Sequence, residues 1–319
     1  MKRIASQPDE RRRPGFTLIE LLIVIGLIGF MAAMGVILVQ TMAGNAKEAR
    51  TKVIIEQIDK QIAQRLDGFD RWFDSQEKFL LQKLRIYSVT EKNRILGKKT
   101  YFKAYFPQTP GEVLKSENIY SYWWDEDGAR KDTVDDAADS AEVLYYMLME
   151  MPVFGTESVN EGNFDNTMIG DTDDDGLKEF IDGWGNPIRF YRWPTRLVKP
   201  DGTINRDIAT LLISALPPGK PGAGAGAQLD IDPDDPTAAL KIADIDEDDF
   251  HTYNTWHTPI IVSAGGDGKL GLYEPTDTSS TKGRLARPKY ADETAGSAEE
   301  TKLIEQLYDN ISNANVTAE

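Results

Sequence analysis

Residues 11–25 read Arg11-Arg12-Arg13-Pro14-Gly15-Phe16-Thr17-Leu18-Ile19-Glu20-Leu21-Leu22-Ile23-Val24-Ile25, and the 19 residues from Leu21 to Val39 carry no charge. With Phe16 to Leu18 added, the apolar run reaches the roughly 20 residues that a membrane-spanning helix needs. Lys2, Arg3, Arg11, Arg12 and Arg13 stand before it, against only Asp9 and Glu10. The positive-inside tendency therefore keeps residues 1–15 in the cytoplasm and sends the remainder across the membrane. A cleaved secretory signal is the competing reading. It needs a shorter apolar region, of about 7 to 15 residues, and small residues at the cut, for which Thr41-Met42-Ala43 is a weak match. Glu20 is the anomaly, because a carboxylate inside an apolar run costs about 2.5 to 3.5 kcal/mol without a partner. Either it snorkels towards the helix end, or a buried cation matches it.

Downstream, no proline occurs between Val39 and Pro107, and Val53, Ile54, Ile58, Ile62, Leu66, Phe69 and Phe73 recur at spacings of three and four. That period predicts an amphipathic helix. The simplest architecture is one helix from Phe16 to about Leu66, apolar all round in its first half and on one stripe as far as about residue 73. Gly29 with Ala33 offers a close helix contact in the membrane. Tyr101 to Phe106 reads as a strand or extended segment. Asp139 and Glu142 cap a helix from about Ser140 to Met149, and Ser297 with Glu300 opens another that carries Leu303, Ile304, Leu307, Tyr308 and Ile311. Pro187 to Trp193, Thr258 to Ser263 and Leu270 to Tyr273 are short β-rich runs. The fold class expected is α+β: a long N-terminal helix packed on a small antiparallel β-sheet, with extra helices and long loops. A leader (1–15), a transmembrane helix (16–43) and a head (44–319) follow, with a mobile surface insertion at about 217–249 that includes the Pro-, Gly- and Ala-rich run Pro217 to Ala227.

The chain of 319 residues contains no cysteine, which excludes disulfides, thiolate metal sites and thiol chemistry. Lys plus Arg number 36 against 52 Asp plus Glu, a formal net charge of −16 that opposes general binding to nucleic acid. Catalysis has little to stand on. His251 and His257, the two histidines, sit among Tyr253 and Trp256 and read as packing or surface residues rather than bases. Trp123-Trp124, beside Asp125, Glu126 and Asp127, reads as buried aromatics of the head in preference to a binding surface.

Asp171-Thr172-Asp173-Asp174-Asp175-Gly176-Leu177-Lys178-Glu179-Phe180-Ile181-Asp182 places oxygen side chains at loop positions 1, 3, 5, 9 and 12 and glycine at 6. This is an EF-hand-like pattern: Ca²⁺ takes about six to eight oxygens, and alternate residues of a tight loop converge on one point. The candidate ligands are Asp171, Asp173, Asp175, Glu179 and Asp182, the last a short substitute for the usual Glu. A solvated acidic turn is the alternative.

Arg11 to Ile25 resembles the leader of type IV pilins and of type II secretion pseudopilins. The resemblance implies cleavage after Gly15 by a prepilin peptidase and N-methylation of Phe16. It further implies that Glu20 pairs with a neighbouring subunit's terminal amine and so sets the stagger of a helical filament. Asp182-Gly183-Trp184-Gly185-Asn186-Pro187 and Ser263-Ala264-Gly265-Gly266-Asp267-Gly268 resemble two blocks of the major, G-type pseudopilin. There a calcium ion orders the loop after the second block, which makes Asp267 and Asp277 weaker ligand candidates. The chain exceeds the usual member's length, with insertions around 75–165 and 195–250. The resemblance implies a structural subunit with no enzymatic activity, single-pass in the bacterial inner membrane with a periplasmic head. Its partners would be other copies or minor pilins and an inner-membrane assembly platform. A secreted or membrane-anchored calcium-binding protein or hydrolase with a similar leader is the alternative.

Overall fold

The computed structural model describes residues 17–112, 136–151, 154–155, 159–197, 232–237, 239–253, 258–279 and 283–313. Residues 1–16, Trp123, Trp124, Pro217 to Ala227, His257 and the chain end, where fraying is expected, lie outside them. Two compact units follow one another, Met1–Ala46 and Lys47–Glu319.

Helix α1 runs Leu18–Lys83, past the end expected near Leu66. The stripe continues through Phe69, Phe73, Leu80 and Leu81, all buried, so apolar burial carries the helix on. It stops where Arg85 turns left-handed (φ 61°). There Ile86 N–H bonds the Leu81 carbonyl and Arg85 N–H bonds that of Gln82, both at 2.9 Å; this closes the orphan carbonyls of the last turn. Helix α2 spans Glu91–Tyr105 and is capped by Thr90, whose side chain accepts from Asn93 N–H. The expected extended segment over Tyr101 to Phe106 is thus helical. The reason is that Tyr101, Phe102, Tyr105 and Phe106 repeat at helical spacing and present their rings to Phe69, Trp72 and Phe73 of α1.

Helix α3 is Asp136–Met149. It starts earlier than expected, so Asp139 and Glu142 lie inside it as buried residues rather than at its cap. Strands β1 (Ile169–Gly170) and β2 (Glu179–Phe180) form an antiparallel pair. Strands β3 (Arg189–Tyr191), β4 (Ile260–Ser263) and β5 (Ile311–Ser312) form an antiparallel sheet in the order β3-β4-β5, with Phe190 opposite Ile261 and Ser263 opposite Ile311. Helix α4 is Ala298–Glu305, capped by Ser297, which accepts from Glu300 N–H. Ile311, expected on that helix, instead extends the sheet edge. Leu270 to Tyr273 contributes a single bridge from Leu272 to Pro288 in place of a strand.

The main core joins Ile54, Ile55, Ile58 and Ile62 of α1 to Val143, Leu144 and Met147 of α3 and to Phe180, Phe190 and Ile261 of the strands. This is the α+β arrangement of a long helix against small antiparallel sheets. The described part of 217–249 differs from the expected surface excursion: Leu240 and Ile245 pack with Ile95 of α2. Asp232 is buried between Lys99 Nζ at 2.6 Å and His251 Nε2 at 3.4 Å. Buried charges of opposite sign need one another's company, and this pairing holds the segment on α2.

Candidate functional site

Three places carry the candidate residues. The first is the start of α1. Gly15 and Phe16 lie outside the described residues. Thr17 N–H and Thr17 Oγ1 each donate to Glu20 Oε2 at 2.8 Å, and Glu20 N–H donates back to Thr17 Oγ1 at 3.2 Å. This is a reciprocal capping box, Thr-x-x-Glu, which satisfies orphan donors of the first turn and partly compensates the carboxylate. Thr17 stands at the capping spacing from Glu20, three residues before it, and is legible in the sequence. The apolar side chains that follow are exposed in the isolated chain, with Leu18 at 83%, Phe30 at 65% and Val39 at 67%. The helix is long and apolar enough to cross a membrane.

The second place is the meeting of residues 182–187 with residues 263–265. Asp182 Oδ1 accepts from the N–H groups of Trp184 (2.8 Å) and Asn186 (2.9 Å), and its Oδ2 accepts from Asn186 Nδ2 (3.1 Å) and Ser263 Oγ (2.7 Å). Asn186 Nδ2 also donates to the Gly265 carbonyl, and Ser263 Oγ accepts from Gly265 N–H. Residues 182–187 and 263–265 therefore form one polar knot around a buried carboxylate. Gly183 lies against α1, where its N–H donates to Thr51 Oγ1 at 2.9 Å.

The third place is the acidic loop. Asp171 closes it by accepting from the N–H groups of Asp175 (3.1 Å) and Gly176 (3.0 Å), and Asp174 and Gly176 take positive φ to make the turn. Asp173 and Asp175 come together with Glu142 of α3, their ligand atoms all lying within 4.8 Å of one another. Such an acidic cluster can bind a metal. Glu179, fully buried, accepts from Thr172 N–H with one oxygen. Burial raises its pKa to about 6, and the nearby Asp171 and Asp173 push the same way. Asp173 is raised too, first by burial and then by the Asp175 carboxylate.

Asp182 stands apart from this group: both of its carboxylate oxygens accept hydrogen bonds within the knot. Asp171 also stays outside the group, as the closing residue of the turn. Asp267 is an exposed turn residue accepting from Lys269 N–H, and Asp277 accepts from Ser279 N–H; neither belongs to the group of Glu142, Asp173 and Asp175. Glu142, a helix-capping residue by its sequence spacing, carries no metal-ligand signal there, since it precedes the loop on a different element. His251 is fully buried, its Nδ1 2.8 Å from the Thr252 carbonyl oxygen and its ring against Trp193.

Residues 11–36 match the family described as the prokaryotic N-terminal methylation motif. This is a leader of the type IV pilin and pseudopilin class, and it implies a pilin-like protein processed by a prepilin peptidase. No curated protein and no solved structure matches the chain.

Proposed function

We propose that the chain is a structural subunit of a type II secretion pseudopilus or a type IV pilus-like filament, assembled through α1 and without enzymatic activity. The observation that carries this reading is the methylation motif at residues 11–36, running into an apolar half-helix whose side chains find no cover in the single chain. Such a surface calls for lipid first and neighbouring helices afterwards. A Cβ at Gly26, Gly29 or Gly35 would meet nothing within 4 Å, so these glycines serve no packing in the isolated chain and leave the helix flat for a neighbour.

Cleavage after Gly15 exposes the amine of Phe16, and methylation keeps it cationic. Glu20 of an adjacent copy then matches that charge in a low-dielectric core, where an unmatched carboxylate is costly and a paired one fixes register. The G-type pseudopilin reading is supported by the knot between residues 182–187 and 263–265, which gives both resembling blocks a joint structural role. The head lies in the periplasm, the partners are other copies or minor pilins and an inner-membrane assembly platform, and the acidic loop takes Ca²⁺. The test is Glu20→Ala and Glu20→Leu in cells that assemble the filament. Both variants reach the membrane and are cleaved, but neither enters filaments. Incorporation at the wild-type level would remove the register role.

A further inference from the structure

The acidic group draws on two elements. Asp173 and Asp175 belong to the loop between β1 and β2, whereas Glu142 projects from α3, a helix packed in the main core. Glu142 and Glu179 are each fully buried. Buried carboxylates ordinarily have a cation or several donors beside them. Glu179 uses Oε1 on Thr172 N–H, which ties its carboxyl group to the loop, and its Oε2 is buried with no hydrogen-bond partner. Lys178, the cation of the loop, is turned to Glu161 at 2.7 Å.

We infer that a calcium ion seats between α3 and the acidic loop, held by Glu142, Asp173 and Asp175 with Glu179 nearby, and so fastens the loop to the core. The inference rests on the calcium reading above and replaces its ligand set: Glu142 takes the part assigned to Asp182. The three side chains fall within 4.8 Å of one another, close enough to share one ion, and an all-carboxylate oxygen set is what a hard divalent cation takes. Glu179 completes the shell directly or through a water, and loop carbonyls and solvent supply the remaining oxygens that Ca²⁺ requires.

The experiment uses the full processed chain in non-ionic detergent micelles, stripped with chelator and titrated with Ca²⁺ by calorimetry. Wild type binds one ion in the head. Glu142→Gln and Asp173→Asn each weaken that binding by at least the roughly 10- to 100-fold that changes around a metal's ligands cost, while Asp182→Asn, where folded, keeps it. Hydrogen exchange on the wild type provides an independent readout: Ca²⁺ must slow exchange of amides around Glu142 as well as those of residues 172–177. Calcium binding that survives Glu142→Gln, or protection confined to the loop, overturns the α3 seat and leaves the loop reading standing. Absence of calcium binding by the wild type overturns the inference and the calcium reading together, and leaves the filament reading untouched.

Discussion

Gly183→Ala probes the contact that ties the Asp182 to Pro187 turn to α1. A Cβ at residue 183 would stand 2.2 Å from the Lys47 carbonyl oxygen and 2.7 Å from its carbon, both backbone atoms of α1. A carbon needs about 3.3 Å from a carbonyl oxygen, so the turn must retreat by about 1 Å. That retreat breaks the 2.9 Å bond from Gly183 N–H to Thr51 Oγ1, whose hydroxyl in turn donates to the Lys47 carbonyl. Overpacking of this kind costs about 1 to 3 kcal/mol, and the lost buried hydrogen bond adds about 1 kcal/mol. At about 2 to 4 °C per kcal/mol for a head of this size, Tm should fall by roughly 5 to 15 °C. The assay is thermal unfolding of the full chain in micelles, followed by tryptophan fluorescence, for Gly183→Ala, Thr51→Val and the double variant. Because the alanine already breaks the Thr51 bond, the double variant should lose less than the sum of the singles. A Gly183→Ala protein that melts within a degree of wild type, or strictly additive losses, would refute this account of the motif's glycine.

Two further perturbations act on buried charge. Glu112 receives Arg192 Nη1 at 2.6 Å and Nη2 at 2.9 Å; burial raises its pKa, but the Arg192 guanidinium outweighs this and holds it below the usual 4.5. Its stabilisation is therefore present above the unfolded pKa and lost as pH falls through the depressed folded value. Glu112→Gln should cost about 3 to 5 kcal/mol near neutrality, since Arg192 is left buried without its counter-charge, and the loss should shrink in acid; denaturant titrations across pH 3 to 7 check both, at the order of pH where carboxylates titrate. Lys99→Met should destabilise by about 3 to 5 kcal/mol by stranding Asp232, and adding Asp232→Asn should recover part of it, which the same titrations measure; no recovery would mean that Lys99 acts through packing alone.

Much of this was legible in local sequence, and the failures have physical causes. The α1 stripe and the Ser297 cap are written in spacings of three and four, which a single chain displays directly. Thr17 with Glu20 is a capping signature equally on view. Tyr101 to Phe106 suits a strand or extended segment as well as a helix, because six residues show alternation and helical spacing almost equally well, and only the rings of Phe69, Trp72 and Phe73 decide between them. Asp182 fits loop position 12 by counting, yet its carboxylate is claimed by Trp184, Asn186 and Ser263, the last from a distant strand. Glu142 belongs to the acidic site through the packing of α3, and no spacing within the loop points to it. Asp232 lay in an acidic stretch that reads as solvated until Lys99 and His251 are brought to it.

The mass of the mature chain decides whether this is a processed, pilin-like filament subunit. Membrane fractions from cells with and without a prepilin peptidase should be compared by intact-mass analysis, together with Gly15→Val. The peptidase should remove residues 1–15, the mature chain should begin at Phe16 carrying an added methyl group, and Gly15→Val should remain uncut. A native chain that keeps residues 1–15 in the presence of the peptidase, or that starts at Gly44 as a secreted protein would, contradicts the filament reading.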